Sequence, residues 1–76
     1  MANYARTLDD VLDATIASVQ RRAPHLIINQ AYDHVFNTSI EFDDATKKPN
    51  GAAIRAKAIE LAAACVRLVA EFIDED

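Results

Sequence analysis

The sequence predicts an all-α fold, with three helices in a single domain. Three observations carry this expectation. Apolar residues recur at three- and four-residue steps through most of the chain, which is helical periodicity. The one glycine and the two prolines fall at two places only, around Pro24 and at "KKPNG", so two breaks divide the chain. At 76 residues the chain, read as residues 1–76, is no more than one domain.

The first helix is expected over about 7–22. Thr7 suits an N-cap, with Asp10 three residues on as an Asp variant of the capping box. Leu8, Val11, Leu12, Thr15, Ile16 and Val19 then keep helical spacing. Arg21-Arg22 and Pro24 end it, because the residue before a proline disfavours the helical region. Pro24 suits the first turn of a second helix, where its missing N–H is no loss. That helix is expected over about 24–47, with Ile28, Ala31, Val35, Thr38, Phe42 and Ala45 on one stripe and Tyr32, Phe36 and Ser39 beside it.

The third helix is expected over about 51–74, rich in Ala, Leu, Ile, Arg, Lys and Glu, all favourable or tolerable helix formers. Ile54, Ala58, Leu61, Cys65, Leu68, Val69 and Phe72 form one stripe, and Ile59, Ala62, Val66 and Ile73 widen it to about half the circumference. A single-partner helix needs an apolar arc of only about 100°. Ile54, Leu61, Cys65, Leu68 and Phe72 are therefore the expected core or interface residues. A chain this short covers so broad a stripe poorly, and exposed apolar patches usually mark an interface. The pattern predicts a homodimer in which helices 2 and 3 pair across a two-fold into a four-helix bundle, with helix 1 alongside.

Composition bounds the chemistry. There are 12 acids against 8 Lys plus Arg, a net charge of -4, which weighs against nucleic-acid binding. Arg21-Arg22 and Lys47-Lys48 have the composition of phosphate grips, but each closes a predicted helix, where cations complement the C-terminal dipole, and that structural role is the expected one. Cys65 is the one cysteine, so no internal disulfide or Cys/His metal cluster can form. "MANYARTLDD" reaches acids before any apolar run, unlike a signal peptide, and no apolar stretch spans a bilayer. A reducing, cytoplasmic location fits best. The absence of a glycine-rich loop excludes a P-loop or dinucleotide fingerprint.

Two readings of the acids stand side by side. Glu41 and Asp44 lie three residues apart on helix 2, as neighbours that can share a divalent cation. Glu60 on helix 3 could join them if the bundle buries that side. Mg²⁺ takes such oxygen ligands together with waters and phosphate. In the other reading the acids are solvated, and Glu60–Lys57 and Glu71–Arg67 are helix-surface ion pairs. His34, two turns before Glu41, could be a base or ligand, or a partly exposed helix residue.

"AYDHVFNTSIEFDDA", the polar break, and "AAIRAKAIELAAACVRLVAEFIDED" resemble the MazG-like all-α nucleotide pyrophosphohydrolases, above all the small phage and mobile-element members. The opening "LDDVLDATIASVQRR" is similar to their first helix. The resemblance implies Mg²⁺-dependent hydrolysis of nucleoside triphosphates, with acids holding the metal against the phosphates. By position, the EExxE motif falls on Ile40, Glu41 and Asp44, and the ExxD motif on Lys57 and Glu60. Glu41, Asp44 and Glu60 are then the implied metal ligands, and Lys57 and His34 the implied phosphate contacts. Ile40 and Lys57 stand where acids are expected, and a lysine opposes Mg²⁺ by charge. The resemblance therefore implies a degenerate member with weak or no hydrolysis. The alternative is a non-enzymatic helical protein binding a host protein through an acidic surface.

Overall fold

The computed structural model describes residues 2–74. Helix α1 spans Tyr4–Arg21, α2 spans Ile28–Thr46 and α3 spans Gly51–Leu68. One π-helical turn, Val69–Ile73, continues α3, and no strand occurs among the described residues. The all-α expectation thus holds.

The ends of the helices differ from the expected ones for identifiable reasons. Asn3, not Thr7, caps α1: its Oδ1 accepts the Arg6 backbone N–H at 3.1 Å. Thr7 is already inside the helix and donates its hydroxyl back to the Asn3 carbonyl at 3.1 Å. Asp10 does not close a capping box; it pairs with Arg55 and ties α1 to α3. Asn50 caps α3 by accepting the Ala53 N–H at 3.2 Å. Helix α2 begins four residues later than Pro24 suggests, because Arg22 is extended and the linker is held by side chains of α3.

Those side chains are Arg67 and Glu71. Arg67 is 1% exposed, the largest fully buried side chain. Its Nε donates to Glu71 Oε2 at 2.8 Å. One Nη donates to the Ser18 carbonyl at 3.3 Å and the Ser18 hydroxyl at 3.1 Å, and the other to the Ala23 carbonyl at 3.1 Å. Glu71 Oε1 in turn accepts the His25 backbone N–H at 3.1 Å. The expected surface ion pair Arg67–Glu71 is instead a buried clasp joining α1, the linker and α3. Partial burial pushes the Glu71 carboxyl up, but its bonds to Arg67 and His25, with their charges, outweigh this and hold its pKa below the usual value.

Helix α3 is central: α1 and α2 both pack on it and make no substantial contact with each other. The packed sides are built from small residues. Ala31, Ala63 and Ala64 are the buried apolar side chains among the described residues, with Ser18 and Thr38 beside them. Val11, Val35, Phe42, Ile54, Leu61, Leu68 and Phe72 are half-buried. Several residues of the apolar stripes lie outside the chain's own core. Leu8, Leu12, Ile16, Val19 and Ile28 are each at least 45% exposed, and Cys65 is exposed and free. Leu61→Asp and Leu68→Asp, which place an unpaired charge against α1 or α2, are expected to cost several kcal/mol. Urea unfolding followed by circular dichroism checks this.

Candidate functional site

The two outer helices leave a cleft between them, floored by α3, of about 700 Å³. Helix α1 contributes Ala14, Ser18, Arg21 and Arg22. His25 comes from the linker. Helix α2 adds Gln30, Asp33, His34, Asn37, Thr38 and Glu41, and α3 adds Lys57, Glu60 and Ala63. The lining is mostly polar because these residues repeat at helical spacing on the sides that face neither the core nor the apolar flanks.

The cleft has two chemically distinct ends. At one, Lys57 reaches both acids: its Nζ lies 2.9 Å from Glu41 Oε1 and 3.2 Å from Glu60 Oε2. The Lys57 hydrogen bond lowers the Glu41 pKa, and the bonds to Glu41 and Glu60 raise that of Lys57. The ammonium thus sits between the two carboxylates that the resemblance assigns to a metal.

At the other end the linker brings Arg21, Arg22, His25 and His34 together. The two imidazole rings are 5.8 Å apart and tilted. His25 Nε2 is shielded from solvent and has no hydrogen-bond partner among the described residues. The His34 pKa lies below its ordinary value. Burial is the main cause, followed by the charges of Arg22, His25 and Arg67, with Glu41 opposing.

Of the site residues expected from sequence, His34, Glu41, Lys57 and Glu60 meet in this cleft. Asp44 is not among its lining residues and is exposed. Asp43 pairs with Lys47 at 3.3 Å on the surface. No group of three or more His, Cys, Asp or Glu residues that could hold a metal ion occurs among the described residues. Arg21 and Arg22 were expected to close α1 rather than to grip phosphate, and His25 was expected only at the start of helix 2; the structure places all three at the cleft. Their signal is the basic pair followed by "APH", since a linker this short keeps both arginines beside the histidine.

Comparison with family models, with curated proteins and with solved structures finds no match. No helix among the described residues is long and apolar enough to cross a membrane.

Proposed function

We propose that this chain is a helical binding protein that works as a homodimer, a degenerate MazG-like bundle that holds a ligand in its cleft without hydrolysing it. The placing of the apolar side chains carries this reading. Tyr4, Leu8, Leu12, Ile16 and Val19 form an exposed stripe on the flank of α1 turned from the cleft. Ile28, Tyr32, Phe36 and Ile40 do the same on α2, and Val66, Val69 and Ile73 on α3 and the π turn. The area supports a partner. A compact monomer of this mass exposes about 4,600 Å², whereas this chain exposes 5648 Å². Its radius of gyration is likewise 13.0 Å, against about 11.4 Å for a compact domain of this length. The surplus of about 1,000 Å² matches what one partner buries in a standard interface, about 800 Å².

A second copy is the occupant that fits. The stripes are uncharged, so the repulsion between two copies of net charge -4 comes from groups away from the contact and is screened by salt. Two-fold homodimers are also the commonest closed assembly. In this arrangement α2 and α3 of each copy build the four-helix core, and the α1 stripe extends it. Sedimentation equilibrium at micromolar concentration tests the proposal. Twice the 8.4 kDa chain mass is expected, and a stable, compact monomer would remove its basis.

A Mg²⁺-dependent nucleotide site is the second reading, favoured by the meeting of His34, Glu41, Lys57 and Glu60 in one cleft. Lys57 argues against hydrolysis, because its ammonium sits between both acids, where a metal would bind, and offsets one of their two charges. Mg²⁺ is therefore expected to raise the melting temperature no more than NaCl of equal ionic strength. Glu41→Gln is expected to change stability by no more than about 0.5 kcal/mol, as surface substitutions do. A Mg²⁺-specific rise lost in Glu41→Gln, with pyrophosphate released from nucleoside triphosphates, would restore the metal reading.

A further inference from the structure

We propose that the linker end of the cleft binds the phosphoryl group of a small phosphorylated molecule directly, through Arg21, Arg22 and His25 and without a metal ion. The inference specifies the ligand of the cleft and rests on the cleft's being a binding site. It uses neither the dimer nor the Lys57 end.

Arg21 and Arg22 both line the cleft, and neither makes an ion pair among the described residues. Arginine's planar fork suits phosphate because it can donate two parallel hydrogen bonds. His25 Nε2 lies buried beside them without a partner. Buried polar atoms are seldom left unpaired, and a turn of the ring toward the cleft would bring the Nε2–H to a phosphoryl oxygen, which would accept from it. Over the whole cleft the formal charges balance, Arg21, Arg22 and Lys57 against Asp33, Glu41 and Glu60, but Lys57 engages Glu41 and Glu60 at the far end, so the linker end itself sets two arginines against Asp33. The His34 pKa is lowered first by burial and then by the charges of Arg22 and His25, which lie at the same end of the cleft.

Size points to a small molecule. A cleft of about 700 Å³ lies within the usual range for small-molecule sites, about 300–1,000 Å³. Net charge -4 disfavours a long polyanion such as nucleic acid.

The test is calorimetric titration with inorganic pyrophosphate in EDTA at constant ionic strength, with the ring signals of His25 and His34 followed by NMR. The wild-type chain is expected to bind and to shift both ring signals. Arg21→Gln/Arg22→Gln should weaken binding by at least about tenfold, given the strength of charge-assisted hydrogen bonds. Both arginines are exposed and their side chains take no part in the clasp, so this variant should keep its helicity, which circular dichroism checks. Lys47→Gln, which removes a surface charge paired with Asp43 outside the cleft, should leave the affinity unchanged. A nucleoside triphosphate in the same buffer gives a second arm: tighter binding than pyrophosphate extends the ligand to a nucleotide, and equal binding confines recognition to the phosphoryl group. Either result supports the site. No binding at millimolar pyrophosphate would overturn both this site and the cleft's role as a phosphate-ligand site. Binding that requires Mg²⁺ would overturn only the metal-free assignment. Equal affinity in the arginine variant would overturn the placement at the linker end.

Discussion

Arg67→Ala is expected to lower the unfolding free energy by about 3–5 kcal/mol, the usual cost of breaking a buried pair by removing one partner. The reason is what the substitution leaves behind. Glu71 keeps its charge at 17% side-chain exposure, and the Ser18 and Ala23 carbonyls lose a donor. In a domain this size each kcal/mol moves the melting temperature by roughly 4–8 °C. Arg67→Lys should recover only part of the loss, because one ammonium cannot span three separate acceptors as the guanidinium does. Urea unfolding followed by circular dichroism measures both variants. A loss within about 0.5 kcal/mol for Arg67→Ala, typical of an exposed residue, would show that Arg67 is not buried as described.

The same clasp sets an acid limit. The folded pKa of Glu71 lies below its unperturbed value of 4.5. Its contribution is therefore complete above that value and is lost as the pH falls through the folded pKa. Wild-type stability should drop in this window, and Glu71→Gln should flatten that part of the profile while being less stable at neutral pH.

The clasp also shows where the sequence stops being legible. The helices themselves could be read, since Pro24, Pro49 and Gly51 punctuate an otherwise unbroken apolar period. The start of α2 could not. Pro24 is locally suited to a first turn, and only the long-range bonds from Arg67 to the Ala23 carbonyl and from the His25 N–H to Glu71 hold it outside the helix. Arg67 reads as a surface residue in sequence. Its one cue is the alanine pair a turn earlier, Ala63 and Ala64, which leaves room for a long side chain against α1. The cleft was partly legible: the Glu60–Lys57 pair follows from helical spacing, whereas the Lys57–Glu41 bond between α3 and α2 was not read from the sequence. The linker end was not, because what brings Arg21, Arg22 and His25 to His34 is the path of the linker rather than any periodicity.

Phe36→Asp and Leu12→Asp are expected to abolish the dimer. In the single chain these residues are 51% and 57% exposed, and a polar substitution at such a site usually changes stability by no more than about 0.5 kcal/mol. In a dimer closed over the apolar flanks, each instead buries an unpaired carboxylate, at a cost of several kcal/mol per copy. The two outcomes are far apart. Among the described residues the fully buried apolar side chains are alanines, and the exposed larger ones, Leu12 and Phe36 among them, leave water only through a partner. Loss of the interface should therefore carry the fold with it, as in obligate dimers that have no stable folded monomer. The wild-type melting temperature should rise with protein concentration, and that of either variant should be lower and independent of it. Glu41→Gln, on the cleft side, serves as the control and should sediment as wild type. A Phe36→Asp chain that keeps its mass, helicity and melting temperature would place the interface elsewhere, or show that these apolar flanks face water.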